Sequence, residues 1–470
     1  MKIVTFLALF LVWAIAQVKI GIINDIHYEP YYQSGSDIKK YCRKDNSPLK
    51  WITGFTSTDA SPFGEYRCDA PERLVNLMLS KLDEIDPDIE VLIISGDFIG
   101  HGIAVELEDT EHDQYWLVKQ SIQKVFLEMI NKKFPHAVIL PAIGNNDIKF
   151  HYVAPQENHS ASDYYPFMYD LVFNKMEGNK GINQENIKEK FHEFGGFKYD
   201  HNDELSFISF NSLYYNDRTP SNDTLIKENQ FKWLEDILDN SEEGRKFVIF
   251  FHIYPGIYHI GHTRFFWERD SVIRFNEVIR RNSHKIALIT GAHSHVPDMK
   301  VSLDHEFSIP DLMAADEKYF RHNPTWAILI TPSISPVFKN NPAVTSLVIE
   351  NGVAKNIIWT YLKLEKYPQT EAEAEFISLN FKDDLGIDEF TPSNVLIFIK
   401  SLINDRYKLY KYLAHKYGYQ GEDIAKALID YKDLGTITFD NEAKYLCSMT
   451  NMLRSDYYYC VESSEEYLEP

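Results

Sequence analysis

The sequence predicts a mixed α/β protein. Apolar runs with strand character alternate with amphipathic helical stretches, and the runs end again and again in the same kinds of side chain. Val91-Leu92-Ile93-Ile94 reads as a strand buried on both faces, and it breaks at Ser95-Gly96-Asp97, with His101 four residues beyond the aspartate. The same grammar recurs at 18–23 before Asn24-Asp25-Ile26-His27, and at 138–143 before Gly144-Asn145-Asn146-Asp147. It recurs again at 247–251 before His252, and at 286–290 before Gly291-Ala292-His293-Ser294-His295. Asp, Asn and His bind divalent metals through oxygen or nitrogen. Strand tips lying side by side in a sheet gather such residues at one edge.

The elements between these strands follow from period and punctuation. Asp69 reads as an N-cap, with Pro71 near the first position of a helix carrying Leu74, Leu77, Met78 and Leu82. Leu117, Ile122, Val125, Phe126 and Ile130 predict a second amphipathic helix. From 151 to 195 no period dominates. The stretch 205–210 alternates like a half-buried strand. The stretch 225–238 is helical, with Phe231, Trp233, Leu234, Ile237 and Leu238 on its apolar side. Strands at 326–331, 346–349 and 357–361 complete a core domain over 17–364. The remainder, 365–470, is helix-like and rich in Lys, Asp, Glu and Tyr; no Pro/Gly/Ser linker separates it, so it is expected to pack on the core.

Composition bounds the function. The chain has 470 residues, 44% hydrophobic and 14% aromatic, which suits a folded protein with a large core. Its formal charge of −21, from 48 basic and 69 acidic residues, disfavours nucleic-acid polymers and anionic membrane surfaces. A phosphate substrate stays admissible, because bound cations reverse the local field. Residues 1–16 read as a signal peptide: Lys2, an apolar run over 3–15, and small residues Ala14 and Ala16 before a cut at Gln17. No later stretch is long enough to span a bilayer. A secreted or lysosomal (endomembrane) lumen is therefore the expected location. Of the three pairings open to four cysteines, Cys42 with Cys68 and Cys447 with Cys460 is the simplest. Asn158 and Asn222 open glycosylation triplets.

Taken together, the motifs resemble the calcineurin-like metallophosphoesterases, and within them the acid sphingomyelinase-like phosphodiesterases. The residues that carry the resemblance are Asp25-x-His27, Gly96-Asp97 with His101, Gly144-Asn145, His252-x-x-Pro255-Gly256 and His293-x-His295. Arg67-Cys68-Asp69-x-Pro71, Asn211-Ser212-Leu213-Tyr214-Tyr215, and Ser333-x-x-Pro336 with Asn340-Asn341-Pro342 add the narrower branch. The resemblance implies a four-layer αββα sandwich and a pair of divalent ions, with zinc first and manganese, iron or calcium as alternatives. It implies Asp25, His27, Asp97 and His295 around one ion, and Asp97, Asn145, His252 and His293 around the other. Asp97 would bridge the two, and His101 would serve as leaving-group acid or transition-state stabiliser.

The implied function is phosphodiester hydrolysis by in-line attack of a bridging hydroxide. Soluble nucleotide or CDP-choline-like substrates lead, and a sphingomyelinase acting on a lipid headgroup is the alternative. Acid sphingomyelinases carry a saposin-like domain before the catalytic one. With cleavage expected at Gln17, the first strand leaves no room for it. A monomer is expected. The family usually has histidine after its metal-binding asparagine, and here that place is Asn146, which cannot deliver a proton. A metal-binding protein without catalysis is the reading from another class. His151, His159, His192, His201, His259 and His262 match none of the ligand motifs and are read as loop or solvent histidines, with His259 and His262 near enough to His252 to line a pocket. Asp147 reads as a turn former, and Tyr214 and Tyr215 as core aromatics.

Overall fold

The computed structural model describes residues 17–44, 60–103, 115–155, 163–182, 185–219, 221–260, 262–316, 318–319, 324–419 and 439–464. The expected signal peptide and Asn158 lie outside these residues. Fourteen strands are present among them. They are β1 (Gln17–Ile23), β2 (Val91–Ile94), β3 (Val138–Pro141), β4 (Phe197–Asp200), β5 (Leu205–Ser209), β6 (Lys246–Phe250) and β7 (Ile257–Ile260). They continue as β8 (His262–Phe265), β9 (Ile286–Gly291), β10 (Asp298–Leu303), β11 (Pro324–Ile330), β12 (Ala343–Glu350), β13 (Val353–Leu362) and β14 (Phe376–Asn380).

Twelve of these strands form two six-stranded mixed sheets, ordered β14-β13-β12-β1-β2-β3 and β10-β11-β9-β6-β5-β4, and β7 pairs with β8 as a separate hairpin. The sheets face each other where β13 meets β9, and helices cover their outer sides: Glu72–Ile85 packs on β12, and Arg269–Arg281 and Pro392–Asn404 pack on β11. In the first sheet β1, β2 and β3 run parallel; in the second β5, β6 and β9 do. Parallel strands buried on both faces need no alternation, and β2 is apolar and buried throughout. Their carboxyl ends fall at the same edge of each sheet, which is where α/β folds place ligands.

Several local expectations are corrected. Asp69 is not an N-cap: Pro71 precedes the helix Glu72–Ile85, and the Asp69 side chain turns elsewhere. The second helix runs over Tyr115–Gln123 and then loosens into a π-helical stretch, Lys124–Ile130. β5 is buried at every position, not half-buried, because it pairs with β4 on one side and β6 on the other. The stretch from 365 onward is not wholly helical. It first gives β14, which extends the first sheet beside β13, and only then the helices. Disulfides join Cys42 to Cys68 and Cys447 to Cys460, the second tying helix Phe439–Thr450 to helix Arg454–Glu462. Asn222 is exposed just before the helix Thr224–Asp239. Among the described residues no helix is long and apolar enough to cross a membrane.

A buried ionic cluster ties the C-terminal helices to the second sheet. Asp298 on β10 sits 2.9 Å from the Lys416 ammonium and 3.9 Å from that of Lys300, and the Tyr412 and Tyr445 hydroxyls donate to its other oxygen. Lys300 also donates to the Ser448 carbonyl at 2.9 Å. Two ammonium groups thus share one carboxylate out of water. Asp298→Asn should leave both uncompensated and lower stability by about 3–5 kcal/mol in urea denaturation. Burial pushes the Lys300 ammonium down to about 8, with Asp298 pulling up and Lys416 pushing down. The folded protein therefore holds that proton less tightly than the unfolded chain, whose lysines titrate near 10.4. Wild-type stability should rise relative to Lys300→Met between about pH 8 and pH 10, because the unfolded state binds more protons there.

Candidate metal centre

The carboxyl ends of five parallel strands deliver the site. β1 leads to Asp25 and His27, β2 to Asp97, the segment after β3 to Asn145, the segment after β6 to His252, and the turn after β9 to His293 and His295. Backbone hydrogen bonds lock these tips together: Asp25 N donates to Gly96 O, His27 N to Asp97 O, and Ala292 N to His252 O, at 2.9–3.1 Å. Asp25, His27, Asp97, His293 and His295 all adopt left-handed φ, between 43° and 73°. That region is unfavourable for residues with a Cβ and is tolerated where surrounding structure enforces it.

Glycines permit the close approach. A Cβ on Gly144 would lie 2.1 Å from Asp97 N, and one on Gly96 would lie 2.7 Å from Gly144 N. Asp147, fully buried, accepts from the N–H groups of Gly144, Asp97 and Phe98 at 2.8, 2.8 and 2.5 Å. It shapes the turn that carries Asp97. Burial and the neighbouring Asp97 charge push its pKa up to about 7.

The donor atoms converge in three groups, each within 4.8 Å: Asp25, His27 and Asp97; Asp97, His252 and His293; and His27, His101 and His295. Asp97 belongs to two of them. Its Oδ2 lies 3.4 Å from His27 Nε2 and 3.2 Å from His252 Nε2, and Asn145 Oδ1 is 3.0 Å from the same His252 nitrogen. Backbone carbonyls behind the cluster orient the rings. His27 Nδ1 faces the Ile99 carbonyl at 3.0 Å and His252 Nδ1 the Ser95 carbonyl at 2.7 Å. A carbonyl can only accept, so in the neutral rings the proton sits on Nδ1 and both Nε2 lone pairs point into the cluster. His27 Nε2 and His295 Nε2 face each other at 3.1 Å, and Asp25 Oδ1 is buried with no hydrogen-bond partner. Two ring nitrogens facing each other beside an unsatisfied carboxylate oxygen are donors that a divalent cation would satisfy, so this donor set fits a metal pair.

Electrostatics carry the same message. Burial opposes charge on His27 and His252, yet Asp25 and Asp97 push both up to about 9. Burial also resists ionisation of Asp25 and Asp97, yet the surrounding imidazoles hold both well below the usual carboxylate range. Burial drives His295 down to about 3 and His293 well below its ordinary value. Two carboxylates thus hold protons on two imidazoles, positive charge that divalent cations would replace.

His101 stacks on His27 with ring centroids 3.9 Å apart and lines a cavity of about 160 Å³ beside Asp97, Asn145 and Asn146. Its partner is the residue expected to cap a helix. Asp69 Oδ1 lies 2.9 Å from His101 Nδ1, and Asp69 Oδ2 accepts from His101 N at 2.7 Å. Asn146 donates to both oxygens of Asp97, from its backbone N and from Nδ2, at 2.8 Å each. His151, read as a loop or solvent histidine, instead lies 2.9 Å from Asn145 Nδ2 and is pushed down to about 4, chiefly by burial. Tyr152 reaches His293 Nε2 at 3.3 Å. His262 lines the cavity; His259 is buried and bonds Thr263. Tyr214 and Tyr215 lie in the core. His192 and His201 lie away from this cavity, and His159 falls outside the described residues. The six-residue spacing of His151 from Asn145 was the signal available for its contact; Asp69 and His101, 32 residues apart, gave none.

The calcineurin-like phosphoesterase family model matches residues 18–297. Bovine cyclic GMP-AMP phosphodiesterase SMPDL3A is 24% identical over 68% of this chain and 65% of its own length. Human acid sphingomyelinase-like phosphodiesterase 3b is 23% identical over 69% and 64%, and sphingomyelin phosphodiesterase B of Dictyostelium discoideum 22% over 94% and 65%. The chain thus spans about 65% of the length of the curated relatives it matches. Among solved structures, a dimetal phosphatase from Danio rerio aligns with a TM-score of 0.40 at 9% identity, over 77% of this chain and 99% of that one.

Asp147→Ala should remove the acceptor of three buried N–H groups while leaving every donor atom of the cluster in place. An unsatisfied buried donor costs about 1–3 kcal/mol, so thermal and urea unfolding should register a loss of about 3 kcal/mol or more.

Proposed function

The chain belongs to the calcineurin-like phosphoesterase family, and from that premise we propose that it is a metal-dependent phosphodiesterase acting on soluble, nucleotide-type phosphate esters. The observation that carries this reading is the sharing of Asp97 by two donor groups, one with Asp25 and His27, the other with His252 and His293. Asp25, His27, Asp97 and His295 would hold one divalent ion, and Asp97, Asn145, His252 and His293 a second. Their nitrogen and oxygen donors suit zinc, manganese or iron. Such a pair, when bound, neutralises phosphoryl oxygens and lowers the pKa of water.

The chain's own residues do the rest. Asp69 accepts from His101 Nδ1, which leaves Nε2 as the nitrogen able to give a proton to the departing oxygen. Asn146 occupies the place next to Asn145 but offers only amide hydrogens, and Asp97 accepts one from its side chain and one from its backbone. His101 therefore bears the general-acid role alone. The names of the relatives, which include a cyclic GMP-AMP phosphodiesterase, support a nucleotide-type substrate. The two disulfides support an oxidising compartment, in keeping with a secreted or lysosomal enzyme.

Bis(p-nitrophenyl) phosphate is the direct assay. Protein loaded with zinc or manganese should hydrolyse it, a chelator should abolish turnover, and Asp97→Ala should fall to background. Two equivalents of bound metal with no turnover would replace the enzyme with a metal-binding protein. His101→Ala should slow an ester with an alkyl leaving group by about 10²–10⁴-fold. It should slow the p-nitrophenyl ester far less, since p-nitrophenolate leaves without a proton.

A further inference from the structure

His101 stands in a turn beyond β2, outside any strand or helix, yet three of its atoms are gripped by residues far away in the chain. Asp69 takes two of them, the backbone N–H and Nδ1. The third is the backbone carbonyl, to which Arg43 donates from Nη2 at 2.7 Å. Arg43 is buried, and its Nε donates to the buried Glu29 carboxylate at 2.6 Å. Its Nη1 has no partner among the described residues, so the hydrogen bonds of this cation go there to Glu29 and His101. Neither Arg43 nor Glu29 lines the metal cavity.

The chain builds this grip from two short segments joined covalently. Cys42 precedes Arg43, Cys68 precedes Asp69, and the two buried cysteines form a disulfide. The two residues that hold His101 are therefore fixed side by side. Arg43 also forms a β-bridge with Tyr32, and Lys44 N donates to Tyr31 O at 3.0 Å, which seats it against the chain running on from His27. Glu29 Oε1 accepts from Tyr31 N at 2.9 Å, so one carboxylate oxygen is fixed by the backbone and the other by Arg43. A Cβ on Gly100 would lie 3.3 Å from both Glu29 Oε2 and Asp69 Oδ2: the two carboxylates converge on the residue just before His101. Burial opposes the ionisation of both, and the Arg43 charge favours it in both. Apolar side chains of similar volume would fill this core at least as stably as a buried ion pair. What they could not do is tie a backbone oxygen of His101.

We propose that Arg43 is a positioning residue for His101: backed by Glu29, it pins the His101 backbone so that the imidazole keeps its place against His27. This rests on the phosphodiesterase reading above, in which His101 gives a proton to the departing oxygen. Asp69 sets the tautomer and the ring, and Arg43 sets the peptide from which the ring projects. Arg43 acts through His101, since it does not reach the cavity. Loss of the carbonyl bond would let the turn shift, and a proton donor must stay within hydrogen-bond reach of its acceptor. The effect should therefore fall on leaving groups that need a proton and spare those that do not.

Two variants separate positioning from folding. Arg43→Lys keeps a cation beside Glu29 but lacks the fork that reaches Glu29 and the His101 carbonyl together. Glu29→Gln/Arg43→Met removes both charges at once, so no buried charge is left alone. In metal-loaded protein, kcat for thymidylyl-(3′,5′)-thymidine, whose leaving group is an alkoxide, should fall about 10–10²-fold in both variants with KM little changed. Turnover of bis(p-nitrophenyl) phosphate should change by less than about threefold, because p-nitrophenolate needs no proton. Metal-free protein gives a readout without turnover: backbone amides at 99–103 should exchange hydrogen about tenfold faster in both variants, while those of β1 and β2 exchange as in wild type. Unmoved exchange at 99–103, equal losses on the two esters, or no loss on the dinucleotide overturns the positioning role, even while wild-type turnover upholds the phosphodiesterase. Faster exchange at 99–103 with no turnover of either ester by wild type upholds the grip of Arg43 on His101 and overturns the hydrolase.

Discussion

The meeting of two sets of parallel strands at Asp97 is the constraint on which the rest depends. The first sheet brings Asp25, His27 and Asp97 to its carboxyl edge, and the second brings His252, His293 and His295 to its own. Neither sheet alone assembles the cluster. Packing the edges this closely forces five of these residues into left-handed backbone, and the unfavourable conformation persists because the bonds across the tips leave no alternative. Gly96 and Gly144 are indispensable for the same reason. A side chain on Gly144 would occupy the space of the Asp97 backbone, and one on Gly96 that of the Gly144 backbone.

The strand tips were legible in the sequence because one physical rule writes them: a run apolar on both faces, then a turn, then a side chain with lone pairs. The order of the sheets was not, since strand neighbours are chosen by crossovers that leave no local mark. Asp69 shows where local rules mislead. Followed by Pro71, it looks like a helix start, but the proline begins the helix unaided, and the carboxylate is free to reach His101. β5 misleads in another way. Ser206 and Ser209 interrupt the apolar run as solvent-facing positions would, yet Ser206 bonds Asp200 and Ser209 bonds the Pro141 carbonyl, so both serines are satisfied while buried. β14 hid inside a stretch whose charge and later helices dominate its composition.

Charge connects the two halves of the molecule. A net −21 would repel anions from most of the surface, so a phosphate ester, as proposed, would need local attraction at the site. Cations at the Asp97 cluster would supply that attraction at the centre, and Arg264 lines the cavity beside it. The C-terminal helices set the rim. Tyr457 bonds Thr263 on β8, Arg454 holds Asp217 and covers Phe265, and the Asp298 cluster fastens the preceding helices to β10. The C-terminal region is thereby part of how the cavity mouth is built.

Asn146 completes the logic of proton handling. Its backbone N–H donates to one Asp97 oxygen and its side-chain amide to the other, so both oxygens of the carboxylate are held. What the amide cannot do is ionise. On the other side of the cavity His101 stacks on His27 and is held through Nδ1 by a carboxylate that is itself anchored by the Ser335 hydroxyl. That anchoring fixes both the tautomer and the ring plane of His101. On the proposed reading, that single oriented imidazole would suffice for a reaction that needs a proton only at the leaving oxygen.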